Sequence, residues 1–383
     1  MEYRDIRDTI RTDEADPMVI VCCGSGGVGK TTISAALGLS CAMSGHKTLV
    51  LTVDPARRLA DALGVSPLSH EPQRVNTGKT PELSGELYAM MLDPQYTFDM
   101  LIKRYAPNGL KDHILNNRYY MHISRNMAGS HEYMAMEKLY EVFTGGGYDR
   151  IVLDTPPSRR ALDFLEAPQR VLDLLGHRYF LKLFQPYIKA GQWSSRIFNF
   201  LATPVLKAVG QVVGHNALTD LLAFFQLWND LLFDGFRRRA SAVKSLLSSP
   251  STIFFAVTTP QAFPRTEAVG LAHKLVERKF SFAGFIVNRV HEFKNHDSLE
   301  KDPPQFQPGE LGEKISIAYR LEQRLARSDA HALKALETEA GPAGVIHTIP
   351  FSDESIHDLS GLIEVCRHLM RLPVNGSRFK TEE

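Results

Sequence analysis

Gly24-Ser25-Gly26-Gly27-Val28-Gly29-Lys30-Thr31-Thr32, GSGGVGKTT in one-letter code, is the most informative stretch of this chain. Gly24, Gly29, Lys30 and Thr31 satisfy GxxxxGK[ST], with the apolar run MVIVCC before and the helix-forming run TISAALGLSCAM after. Strand before and helix after are the context in which this pattern binds phosphate. Glycines let the backbone turn its N–H groups onto phosphate oxygens, and the helix N-terminus adds positive potential. Lys30 would neutralise charge on the β- and γ-phosphates, and the Thr31 hydroxyl would hold Mg²⁺. Gly26, Gly27, Val28, Gly29, Lys30, Thr31 and Thr32 are therefore the candidate phosphate-binding residues.

Working outward, short apolar runs recur at wide spacing: MVIVCC at Met18, TLVLTV at Thr48, LYAMML at Leu87, RIVLD at Arg150, TIFFAVTT at Thr252, FAGFIVN at Phe282 and VIHTIP at Val345. Continuous apolar strands separated by helical segments predict an α/β fold, a doubly wound and mostly parallel sheet covered on both faces. Two stretches break the rhythm. Residues of about 96–143 and 172–245 carry helical apolar patterns and are expected to form an inserted helical subdomain in a phosphate-loop domain of 17–374. Residues 1–16 and 375–383 are expected to be flexible ends. The window from Val171 to Phe236 holds both tryptophans and 8 of the 21 phenylalanines, more aromatic surface than one buried helix face uses. It suits either an internal core or dimer interface, or a groove for an apolar helical client.

Composition limits the alternatives. The 383 residues are 44% hydrophobic and 23% charged, ordinary for a chain that buries a core. A net charge of +1 gives no long-range attraction for nucleic acid, so no nucleic-acid partner is expected. Cys22, Cys23, Cys41 and Cys366 form no CxxC pair, which points to buried inert thiols in a reducing cytoplasm. The charged N-terminus has no signal-peptide core, and the longest uncharged stretch, around Ser245 to Pro264, is broken by prolines and reads as a buried strand. Any membrane role is expected to be peripheral.

The double-glycine loop resembles the deviant phosphate loop of the MinD-like dimeric ATPases. Within that class DPARRLAD, from Asp54, is similar to the first switch of the arsenite-pump ATPase (ArsA) family, which includes targeting factors for tail-anchored membrane proteins. DTPPSRRALDFL, from Asp154, is similar to its second switch, and MAGSHEYMAMEKL, from Met127, to the helix between them. The resemblance implies a Mg²⁺-dependent hydrolase of ATP that works as a dimer, with itself or with a paralogous ATPase, and serves a client and a membrane receptor. It gives Asp54 the orientation of the attacking water, Asp154 the Mg²⁺ site, Asn288 the reading of adenine, and Pro350 and Phe351 the loop against the base.

Three departures stand out. Ser25 replaces the lysine with which one subunit reaches the other's phosphates. Arg57, Arg58, Arg159 and Arg160 crowd the two switches, either as a solvated rim or as the source of the missing cation. The family's metalloid-binding cysteines are absent. A soluble energising subunit of an anion or metalloid pump, and a low-turnover nucleotide-dependent scaffold, remain alternatives to the client-handling role.

Overall fold

The computed structural model describes residues 6–11, 17–54, 57–76, 83–105, 111–116, 130–156, 165–170, 172–173, 233–292, 309–340, 345–352, 356 and 359–370. The chain divides into two compact units. One comprises Met1–Leu92, Val142–Leu162 and Leu247–Glu383; the other comprises Asp93–Glu141 and Asp163–Leu246.

The first unit is built on eight strands: β1 (Met18–Gly24), β2 (Lys47–Thr52), β3 (Gln73–Arg74), β4 (Glu86–Met91), β5 (Arg150–Asp154), β6 (Thr252–Thr258), β7 (Ser281–Val290) and β8 (Ile346–Pro350). Their order across the sheet is β3-β4-β2-β5-β1-β6-β7-β8, and every pairing is parallel except the short β3–β4 edge. The seven apolar runs of the sequence are the seven parallel strands. Every residue of β1, β5 and β6 is buried, as expected where helices cover both faces. β3 has no counterpart among the apolar runs: its two residues, Gln73 and Arg74, carry no apolar signal and pair with Ala89 and Tyr88.

α2 (Lys30–Met43) leaves the phosphate loop and runs almost wholly inside the core, buried from Ile33 to Ala42. α10 (Leu359–Leu369) packs on it, and the Cys366 thiol lies 3.2 Å from the Ala36 carbonyl. α1 (Ile6–Arg11) docks because Ile6 is fully buried in the core cluster under α2. All four cysteines are free and buried, with burial holding Cys22 above the ordinary thiol range and pushing Cys23 and Cys41 up to about 12.

The described part of the second unit is helical: α4 (Pro94–Tyr105), α5 (Lys111–Leu115), most of α6 (Ser130–Thr144) and of α7 (Phe233–Leu247). Glu137, buried on α6, accepts from Arg239 of α7 and, at 3.0 Å, from the Tyr133 hydroxyl. Removing the arginine would leave this buried carboxylate uncompensated, which is strongly destabilising. The aromatic-rich residues 174–232, with Phe225 and Trp228, lie outside the described residues. Among the described residues no helix is long and apolar enough to cross a membrane.

Candidate functional site

The carboxyl ends of β2, β5, β1 and β6 stand side by side, and the register brings Thr52 and Cys22 level with Asp154 and Gly24 level with Val257. This edge is where doubly wound sheets gather ligand-binding residues. A Cβ on Gly24 would stand 2.2 Å from the Val257 carbonyl oxygen, so only glycine lets the chain turn off β1 here. Gly29 completes the turn with φ 91°, a left-handed conformation costly for any other residue, and a Cβ there would meet Asn288 Nδ2 at 2.3 Å. No side chain caps α2, so its first N–H groups face the loop with no partner from a capping residue. That arrangement suits an anion.

Lys30 is buried, and its Nζ donates to the Ser25 carbonyl at 2.8 Å. Burial pulls this ammonium below its ordinary value, and the nearby Asp154 pulls the other way. Asp154 is buried at the end of β5; its Oδ2 accepts from the Thr31 hydroxyl at 2.8 Å and from the Thr52 hydroxyl at 3.0 Å, while Ser34 Oγ lies 3.5 Å from Oδ1. Desolvation pushes its carboxyl up to about 6, against the lowering effect of Thr31, Thr52 and Lys30; Asp54 adds to the rise. A buried carboxylate beside two hydroxyls is an all-oxygen donor set, which fits Mg²⁺. No group of three or more His, Cys, Asp or Glu side chains gathers for a metal among the described residues. A cation that keeps waters and takes phosphate oxygens needs no such cage.

Asp54 follows β2. Its N–H donates to Thr52 Oγ1 at 3.2 Å, and its Oδ2 pairs with Arg58 at 3.3 Å. That pair is solvent-exposed on the arginine side, where such bridges contribute little. Arg57 precedes α3 (Arg58–Leu63) and is exposed. Ser158, Arg159 and Arg160 lie outside the described residues. Ser25 is buried, with its hydroxyl unpartnered among the described residues.

On the other flank, Asn288 Nδ2 donates to the Val28 carbonyl at 2.9 Å. The side chain braces the loop, with one amide hydrogen left over. Pro350 ends β8 in pairing with Val290, and Phe351 stacks on His291 with centroids 4.8 Å apart and planes 20° apart. His291 is itself clasped by Asp329 of α9 (Glu310–Ala340), whose Oδ2 takes both the ring Nδ1 and the backbone N–H at 2.8 Å. Thr52, Ser34, Arg289 and His291 went unnoticed in the sequence. Thr52 alone had a signal, as the strand-end hydroxyl two residues before Asp54.

The sequence profile of anion-transporting ATPases (ArsA_ATPase) matches residues 18–303 of this chain. The chain belongs to that family. Among relatives of this anion-transporting ATPase family member, an ATPase ASNA1 homolog of Cryptosporidium parvum is 26% identical over 268 residues, 70% of this chain and 63% of that protein. An ATPase ASNA1 homolog of Entamoeba dispar is 25% identical over 313 residues, covering 81% and 85%. A putative arsenical pump-driving ATPase of Halobacterium salinarum is 30% identical over 154 residues, covering 38% and 23%. The matched stretch is thus less than two thirds of the Cryptosporidium and Halobacterium proteins. The family member keeps the loop glycines, Lys30, Thr31, Asp54 and Asp154 together on one edge, and departs from the resemblance at Ser25.

Proposed function

We propose that the chain is a Mg²⁺-dependent ATPase, converting ATP and water to ADP and phosphate. The observation that carries this reading is the junction of loop and sheet: Lys30 seated in the loop, and Thr31 and Thr52 both bonded to one buried carboxylate, Asp154. When bound, Mg²⁺ supplies charge neutralisation of the phosphate oxygens, and Thr31 and Asp154 would hold it, Asp154 directly or through water. The chain's own groups do the rest. The N–H groups from Gly26 to Thr32 and the Lys30 ammonium bind the β- and γ-phosphates. Asp54 orients the water that attacks the γ-phosphorus as the bond to the bridging oxygen breaks. Phosphoryl transfer asks mainly for positioning and charge stabilisation, so a well-placed carboxylate serves. Asn288, Pro350 and Phe351 form the base end.

The nucleotide state would gate a dimer, homotypic or with a paralogous ATPase, that acts on a protein or membrane-protein client through a helical subdomain of about 96–143 and 172–245. The names of the ASNA1 homologs agree with ATP hydrolysis, and that of the Halobacterium protein with a pump-driving role. Four buried thiols leave no cysteine cluster for a metalloid, which favours the client role in the cytoplasm or peripherally at a membrane.

The test is a pair of variants in binding and single-turnover assays. Lys30→Ala should lose ATP binding, because it removes the cation seated in the cradle, whereas Asp54→Asn should bind ATP and hydrolyse it slowly. Wild-type hydrolysis by Asp54→Asn would remove Asp54 from the chemistry. Undiminished ATP binding by Lys30→Ala would remove the loop from the site.

A further inference from the structure

Two non-glycine residues among those described have positive φ, Lys279 at 63° and Arg289 at 60°. Lys279 is explained by the helix it ends. It follows α8 (Ala262–Glu277), and its N–H and that of Phe280 close back onto Val276 and Leu275, the usual left-handed exit from a helix. Arg289 has no helix to end. It lies inside β7, where the register with β8 slips between Val287 and Val290. The strand therefore carries a bulge at Asn288–Arg289. Bulges of this kind redirect a side chain at the cost of local strain, and they concentrate beside active sites.

The redirection is visible. Asn288 Nδ2 holds the Val28 carbonyl, its Oδ1 receives the Arg289 N–H at 3.0 Å and so stabilises the left-handed turn, and the Arg289 guanidinium is delivered to 3.5 Å from the Gly27 carbonyl. An arginine aimed at the loop is too far for a strong bond to that carbonyl and has no carboxylate partner among the described residues. A guanidinium so placed lacks the partner its planar fork suits, and phosphate oxygens match that fork.

We infer that Arg289 is a nucleotide-binding residue whose guanidinium contacts the phosphate chain from the β7 flank of the loop. The inference rests on the ATPase reading and extends it to a residue that neither the loop motif nor the switches contain. Strand order sets its role. Asp54 and Asp154 lie beyond β1 on the β2 and β5 side, where the γ-phosphate chemistry is proposed, whereas β7 lies two strands from β1 on the other side. Arg289 therefore approaches the chain away from the attacking water and holds ATP and ADP alike. It is a binding cation and does not stand in for the catalytic lysine missing at Ser25.

Equilibrium binding of ATP and of ADP to the full chain tests this, with Arg289→Gly and Arg289→Asn as variants. Both replacements accept a left-handed backbone, so neither should lower the thermal midpoint of the nucleotide-free protein. Each should raise the dissociation constants for ATP and ADP together by about tenfold, equivalent to about 1.4 kcal/mol. Each should also flatten the salt dependence of binding, because a charge contact is gone. Wild-type affinity in both variants would overturn the inference, as would a weakened affinity with unaltered salt dependence, which marks a merely structural brace. A wild-type protein that binds neither nucleotide, with Lys30→Ala no different, would overturn the ATPase reading along with it.

Discussion

Asp154→Asn should make the ligand-free protein more stable and the Mg²⁺–ATP complex weaker. Asp154 is 2% exposed, and burial pushes its carboxyl from an ordinary 3.8 to about 6. At neutral pH the folded chain thus holds a carboxylate that burial disfavours relative to the unfolded chain, at a cost of roughly 3 kcal/mol at 1.36 kcal/mol for each pH unit. Asparagine removes that charge with little change of shape. Its amide oxygen can still accept from Thr31 and Thr52, which both use Oδ2, and its NH₂ would face the Ser34 oxygen, which can accept. Equilibrium unfolding in denaturant with a chelator present should show a gain approaching that figure. The pH dependence should agree. A group with a raised folded-state value binds its proton more tightly when folded, so wild-type stability should fall as pH rises from about 4 to about 6 and then level off, a slope absent in the variant. Mg²⁺–ATP at a thousandfold its wild-type dissociation constant should reverse the ranking, since it adds about 4.1 kcal/mol to wild type and less to a variant that binds it weakly. A ligand-free variant no more stable than wild type would refute the reasoning, because the carboxylate would then not be the strained group described.

Gly29→Ala should abolish nucleotide binding and cost about 1–3 kcal/mol of stability, since its φ of 91° is left-handed and its Cβ would strike Asn288. The variant Gly29→Ala/Asn288→Ala should not restore binding, which titration with ATP will show. At Ser25, alanine substitution of Arg57, Arg58, Arg159 and Arg160 one at a time should identify one arginine whose loss slows turnover about tenfold, roughly 1.4 kcal/mol of barrier, with Ser25→Lys helping little. If all four are silent and Ser25→Lys or an added paralogue accelerates hydrolysis, the cation comes from a different chain. Should Phe225 and Trp228 line a client groove, polar replacements there will weaken capture of an apolar helix while leaving ATP affinity unchanged; unfolding of the variant instead would mark them as core.

The seven parallel strands and the phosphate loop are legible in the residues alone. Both are local: an apolar run longer than four residues has no solvent face to show, and glycines at Gly24 and Gly29 with a following helix dictate a turn within nine residues. Lys30, Thr31, Asp54 and Asp154 were legible because each sits in or directly after such a run. What stands beside what depends on the order and register of the strands. Thr52 meets Asp154, 102 residues away, because β5 inserts between β1 and β2 in the sheet order. Asn288 braces Val28, 260 residues away, and Arg289 turns toward Gly27 because a bulge interrupts β7. A bulge arises from the register between two strands, which no single run of residues encodes, so the side chain it redirects could not be read from the chain alone.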